Sequence, residues 1–570
     1  MRLEKRIWNL ATVLSLLLVL LSARIVYWQL VRGSQLQPVA LDPASAAREY
    51  ARLQAKSWNK PEDPMDLLDN PASFEGLPQP VIQRTAELLA SITRGSIYDR
   101  NGRPLAYDQV SDGGQRSRFY SEPSLAHVIG YVSGIRTGIS GLERSYNATL
   151  LGLDRPGIQL GRLVHQPIVG SDLILTIDSR VQQVAEQALE AKMGAIVVLD
   201  ARTGAVLAMA SSPRYDPNRV LEANYVGGLL NNCSNQPGCE APFLNRATQA
   251  LYIPGSTWKT VTLIAALDTG QVSPETVFDF GKPVSGPNGP YYVYRVDGGV
   301  IPDPNHRESR LNLEQSYAKS ANAAFARMGD EMPPQVMIDY ASRLGFSSTQ
   351  HFPFEIELSR AQLARDTESI RTNNLLRAVT AIGQGELLAS PLNMAMVVLS
   401  AQNNGDMPVP YFVQAIQDPS GQLVDLGRNR EVVRRVMRPE TAQLVREIMI
   451  AVIQQGTGGR AGVEGLVVGG KTGTAQVDGN SPPHAWFTGF AQNEERGVVI
   501  AVLIENGGSG SQAAAPIFAR LADVAIHQLG QPVELTRCCA AVSQSQNTSS
   551  IPLSPDKWEK GAAFLPLVRL

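Results

Sequence analysis

Short apolar runs broken by turn residues mark the chain from residue 171 onward. The run LILTI at 173–177 predicts a strand, and Asp178 or Ser179 predicts the cap of a helix through residue 189. AIVVL at 195–199 and AVLAM at 205–209 predict a hairpin across the turn DARTG at 200–204. A helix-rich stretch is expected from Ser256 to about residue 403. Strands are expected at 466–477 and 497–504, and a closing helix at 513–529. Strands from both ends of the sequence thus enclose a helical block. That layout predicts an α+β domain with one mixed or antiparallel sheet.

The region upstream follows other patterns. Asn101-Gly102 between apolar pairs predicts a hairpin, in a small β-rich unit spanning 94–170. Residues 34–93 are Ala-rich at 40–55 and acidic and proline-broken at 60–80, which predicts a juxtamembrane spacer. The run at 7–23, extended by 25–28 past Arg24, is long enough to span a bilayer. Arg2, Lys5 and Arg6 precede it and predict a cytoplasmic N-terminus. A cleaved signal peptide is the rival reading, but LSA at 21–23 makes a poor cleavage site. The expected order is therefore an anchor at 1–33, a spacer at 34–93, a pedestal at 94–170, the main domain at 171–530 and an exposed tail at 531–570.

With 570 residues and a formal net charge of -2, the chain predicts two or more domains and carries no nucleic-acid footprint. Cys233 and Cys239 flank a short polar loop and could bridge in an oxidising compartment; reduced thiols are the alternative. No metal cluster is apparent, the chain has six histidines, and no cofactor is implied.

Three motifs carry the candidate chemistry: Ser256-Thr257-Trp258-Lys259, Ser320-Ala321-Asn322 and Lys471-Thr472-Gly473-Thr474. Four Ser-x-x-Lys quartets occur, starting at Ser57, Ser256, Ser316 and Ser554, so context must choose among them. Ser256 follows a Pro254-Gly255 turn and precedes an apolar, helix-compatible stretch. Lys259 then lies one turn on, within reach of the hydroxyl. Burial would lower its pKa and let it act as a base. Ser57 lies in a polar, proline-broken stretch, Ser554 lies in the tail, and Ser316 leaves no chain between the first two motifs. Residues 465–472 also match the phosphate-loop pattern G-x-x-x-x-G-K-T. A phosphate loop turns into a helix. Here the continuation reads as more strand, which would align Lys471 and the Thr472 and Thr474 hydroxyls for a carboxylate.

These motifs, with RGSIYDRNG at 94–102, GLE at 141–143, NRA at 245–247, GQG at 383–385 and HAWFTGF at 484–490, resemble a class B penicillin-binding protein. The resemblance implies a transpeptidase domain of serine β-lactamase-like fold. It also implies a D,D-transpeptidase that cross-links peptidoglycan stem peptides and is inhibited by β-lactams. Carried over, Ser256 would be acylated, Lys259 would be its base and Ser320 would relay a proton. Asn322 would hold the substrate amide, Lys471 would support the electrostatics, and Thr472 with Thr474 would bind the terminal carboxylate beside Gly473. The backbone N–H groups of Ser256 and Thr474 would form the oxyanion hole. The resemblance further implies a bacterial cytoplasmic-membrane location, with a membrane span through 7–31 and a SEDS-type glycosyltransferase as partner. A D-Ala-D-Ala carboxypeptidase stays open, because it differs only in its acceptor. A β-lactam hydrolase or sensor would need a deacylating carboxylate, and the long pedestal-like region ahead of residue 171 argues against a stand-alone lactamase. A non-catalytic scaffold is disfavoured by the intact Ser256, Lys259, Ser320 and Lys471.

Overall fold

The computed structural model describes residues 89–134, 136–154, 168–235, 241–347, 354–426, 432–476 and 481–528. The expected anchor, nearly all of the spacer, and the tail lie outside them, as do Cys239 and the side chain of Cys233. Among the described residues no helix is long and apolar enough to cross a membrane.

A five-stranded antiparallel sheet forms the centre. Its strands are β1 (Gly194–Asp200), β2 (Val206–Ser212), β3 (Val467–Ala475), β4 (His484–Gln492) and β5 (Gly497–Ile504), in the order β3-β4-β5-β1-β2. The β5 sequence GVVIAVLI shows why the sheet is covered on both sides. Val498, Ile500 and Val502 pack in one core with α1 (Ser179–Ala188) and a late helix. Val499, Ala501 and Leu503 face the other core, which contains α2 (Lys259–Asp268) and α3 (Pro391–Gln402). The late helix, α4 (Ala515–Asp523), completes the first layer. Side chains alternate across a strand, so a strand buried on both faces reads as a continuous apolar run.

The strands from both ends do enclose a helical block, but two expectations change. The C-terminal part of the sheet has three strands rather than two, because HAWFTGFAQ forms β4 between β3 and β5. Periodicity alone does not identify such a run as a strand. The middle also contains a hairpin, Tyr292–Val296 with Gly299–Asp303.

A second sheet has six strands. Ile97–Tyr98 and Pro104–Val110 form the hairpin expected at Asn101-Gly102, with Gly102 at φ 80°. Arg116–Tyr120 extends it on one side. Asp172–Leu175 pairs in parallel with Ile97–Tyr98 and antiparallel with Val413–Gln417. The expected boundary at 170 therefore does not coincide with the sheet, which draws strands from both sides of it.

Beside this sheet Glu143 is fully buried between two arginines. It accepts from Arg94 Nε at 2.7 Å and from Arg118 Nε at 2.7 Å. Burial pushes its carboxyl up, but Arg118 and Arg94 more than reverse this and hold it below the ordinary carboxylate range. Asp108 pairs with Arg136 and approaches Arg118 at 3.5 Å. Removing one partner of a buried pair strands the remaining charge. Glu143→Ala should therefore cost about 3–5 kcal/mol of stability, read as a lower midpoint in urea unfolding.

Candidate active site

Pro254 and Gly255 shape the turn that carries Ser256. Gly255 has φ 56°, and Gly255–Trp258 form one 3₁₀ turn that runs into α2. Thr257 Oγ1 donates back to the Pro254 carbonyl at 2.7 Å. Ser256 itself is half-buried. Every residue of α2 from Lys259 to Leu267 is buried, so the helix carries its lysine into the core.

Lys259 Nζ donates to the Ser320 carbonyl at 2.8 Å, the Ser320 hydroxyl at 3.2 Å and Asn322 Oδ1 at 2.7 Å. All three acceptors are uncharged. Burial drives the Lys259 pKa down to about 7, with the nearby Asp303 carboxylate opposing the shift.

The second motif follows the helix Leu313–Ala318, whose start Asn312 fixes in a capping box. Ser320 then adopts φ 60°, the left-handed region that costs a non-glycine residue energy. Asn322 opens the helix Asn322–Glu331. Its Nδ2 donates to the Pro302 carbonyl at 3.0 Å while its Oδ1 faces Lys259.

The third motif lies on β3, at the edge of the central sheet, and the strand continues to Ala475. A strand there excludes the phosphate-loop reading. Lys471 is fully buried, with Nζ 5.6 Å from the Tyr317 ring centre. Burial, and then the Lys259 charge, push its pKa well below the ordinary lysine value. Thr472 and Thr457 share a hydroxyl–hydroxyl hydrogen bond of 2.6 Å, and Thr474 is exposed.

Close backbone approach joins strand and turn. A Cβ on Gly473 would sit 2.9 Å from the Pro254 carbonyl oxygen. Trp486 Nε1 donates to the Ile253 carbonyl at 3.1 Å.

The structure thus brings Lys259 together with Ser320 and Asn322 and places Lys471 beside them. Ser256, Gly473 and Thr474 border the same group. Of the other quartets, Ser57 and Ser554 lie outside the described residues. Ser316 is buried within its helix, and Lys319 pairs with Glu308 instead. Sequence reading missed Asp303, Asn305 and Thr457. Only the glycines around Thr457 signalled a tight turn.

Residues 194–523 match the penicillin binding protein transpeptidase domain, and residues 94–163 match the penicillin binding protein A dimerisation domain. The chain belongs to the penicillin-binding protein transpeptidase family. It is 31% identical to the peptidoglycan D,D-transpeptidase PbpA of Mycolicibacterium smegmatis, over 74% of this chain and 87% of that one. It is also 31% identical to the probable peptidoglycan D,D-transpeptidase PenA of Neisseria flavescens, over 69% of this chain and 94% of that one. Among solved structures, penicillin-binding protein A of M. tuberculosis as an imipenem acyl-enzyme complex matches with a TM-score of 0.66 at 28% identity. That match covers 77% of this chain and 99% of the other. The kinship read from the motifs and the penicillin-binding transpeptidase fold, α+β with an antiparallel sheet, are borne out.

The turn that carries Ser256 leaves no room for a side chain at Gly383. This residue has φ 86°, and a Cβ there would lie 1.8 Å from the Gly255 carbonyl oxygen. Gly383→Ala should cost on the order of 2–4 kcal/mol through overpacking and strain. A fall in both melting temperature and penicillin labelling would report it.

Proposed function

We propose that this protein is a peptidoglycan D,D-transpeptidase that cross-links stem peptides through a Ser256 acyl-enzyme and is inhibited by β-lactams. The observation that carries the reading is the fully buried Lys259, one turn from Ser256 and hydrogen-bonded to Ser320 and Asn322. Kinship with named D,D-transpeptidases supports the reaction class.

In this reading Ser256 Oγ attacks the carbonyl between the two terminal D-alanines of one stem peptide. Uncharged Lys259 takes the hydroxyl proton. The N–H groups of Ser256 and Thr474 receive the oxyanion, each worth ~3 kcal/mol. Ser320, 3.2 Å from Lys259, relays the proton to the departing D-alanine nitrogen. The amine of a second stem peptide then attacks the ester and gives up a proton to Lys259, which passes it to Ser256 Oγ as the ester bond breaks and the hydroxyl is restored. An amide nitrogen carries two N–H donors, so Asn322 keeps one for the substrate while the other holds Pro302.

Thr472 and Thr474 bind the terminal carboxylate, or the equivalent group of a β-lactam. Lys471 completes this subsite. An incoming carboxylate favours its ammonium form and so opposes the lowering of its pKa by burial.

The proposed layout is an uncleaved anchor through 7–31, a pedestal at 94–170 and a transpeptidase domain at 171–530, held outside the cytoplasm of a bacterial cell. The apolar run and the Arg2, Lys5 and Arg6 cluster support the anchor. A SEDS-family membrane glycosyltransferase, supplying glycan strands, is the partner implied by the class B resemblance.

Fluorescent penicillin should label the protein covalently, and Ser256→Ala should abolish the label. Persistent labelling of Ser256→Ala would sink the assignment, and rapid release of the label from the parent would favour a hydrolase. Because Lys259 must be uncharged to act, the acylation rate should rise with pH and level off above about 7. A pH-independent rate between pH 5 and 9 (about two units either side) would contradict Lys259 as the base.

A further inference from the structure

Residues 302–306, which run from the end of the hairpin Tyr292–Val296 with Gly299–Asp303 into the loop after it, touch the second motif at three points. The Pro302 carbonyl accepts from Asn322 Nδ2 at 3.0 Å, which leaves Asn322 Oδ1 turned to Lys259. Asn305 Nδ2 donates to the Ser320 carbonyl at 2.7 Å, and Lys259 donates to that same oxygen at 2.8 Å. Both lone pairs of one carbonyl are therefore occupied, at a residue held at φ 60°. Asp303 Oδ2 accepts the Ala323 N–H at 2.8 Å, in the first turn of the helix that carries Asn322.

The segment is itself anchored. Asp303 and His306 are buried and meet at 3.2 Å. The His306 ring stacks on Tyr292 at 5.2 Å and lies 4.5 Å from Phe280. Its Nδ1 meets the Glu308 carbonyl at 3.0 Å.

We propose that residues 302–306 form a strap that positions the reacting groups, with Asn305 fixing Ser320 and Asp303, bound to the Ala323 N–H next to Asn322, holding a carboxylate near Lys259. This rests on Lys259 being the base for Ser256. Among the described residues, the titratable groups facing Lys259 are Lys471 from β3, beside which stands Tyr317 of the helix Leu313–Ala318, and Asp303 from the strap, which His306 backs. Of these, Asp303 is the one carboxylate. Burial pushes the Asp303 carboxyl up, but its hydrogen bonds from His306 and Ala323 and the Lys259 charge hold it below the ordinary range. It is thus an anion at neutral pH, and it opposes the discharge of Lys259. Asp303 and Asn305 are positioning residues, since they act through Lys259 and Ser320.

The test is the rate of acylation by fluorescent penicillin against pH, on the full chain in detergent, with Ser256→Ala as the control. Asp303→Asn keeps an acceptor and removes the charge. Its acid limb should move down by about one pH unit, because Lys259 loses the partner that favours its ammonium form. Asn305→Ala should slow acylation about tenfold at every pH, leave the limb in place and keep the parent melting temperature. Asn305→Gln should recover part of the rate, which a purely structural lesion would not do. An unshifted limb in Asp303→Asn, or a rate in Asn305→Ala within about twofold of the parent, overturns the proposal. Should Asp303→Asn not fold, the Asn305 pair decides alone. Labelling of Ser256→Ala would instead overturn the underlying reading and leave a separate mark.

Discussion

A lysine buried among uncharged partners is the constraint from which this site follows. An ammonium in the core is unfavourable unless each N–H finds an acceptor. Lys259 finds three, and two of them belong to Ser320. The lysine thereby ties the first motif to the second across 61 residues of chain. Asn322 completes the tie, which fixes where the helix Asn322–Glu331 begins. Ser256 inherits its place because the turn that holds it is the lead-in to the same helix. Solvating Lys259 would remove both its low proton affinity and the reason for the motifs to converge.

Several local features work against stability here. Ser320 is strained, two lysines share one buried region, and glycines at 255, 383 and 473 allow backbone contacts that any side chain would break. Such features persist only where the surroundings over-determine them. The surroundings are the continuous cores on both faces of the central sheet, with Trp486 of β4 bonded to the Ile253 carbonyl just before the turn. Stability gathered across the sheet is spent at one edge.

The sequence was legible where one local feature implied one structure. Pro254-Gly255 before an apolar stretch placed Ser256, and the apolar run after Gly497 placed β5. Asp178 caps α1 as its position suggested, accepting from the Arg180 N–H. Illegible features were those whose partners lie far apart. Nothing near Asp303 announces that its carboxylate will face Lys259, since the hairpin before it must fold first. Thr457 meets Thr472 only because one end of the helix Pro439–Gln455 lies against β3. The strand β4 was hidden for another reason. Its residues are buried on both faces, so the alternation that identifies a half-buried strand is absent.

The second sheet then acquires a mechanical meaning. Asp172–Leu175 belongs to it by pairing, yet the next residue leads straight into the transpeptidase core. Thr176 Oγ1 donates to the Val206 carbonyl at 2.7 Å, and the Asp178 N–H donates to the Leu207 carbonyl at 2.9 Å, both on β2. Asp99, from the turn of the first hairpin, accepts from the Ser179 hydroxyl at 2.7 Å at the start of α1. Backbone and buried side-chain hydrogen bonds thus cross between the two parts, with no intervening linker at this point. Rotating one against the other would break ladder bonds and expose buried polar groups at once. Units joined by a small polar interface move freely, whereas units that share a sheet do not. The Arg94–Glu143–Arg118 cluster braces the strands beside that junction.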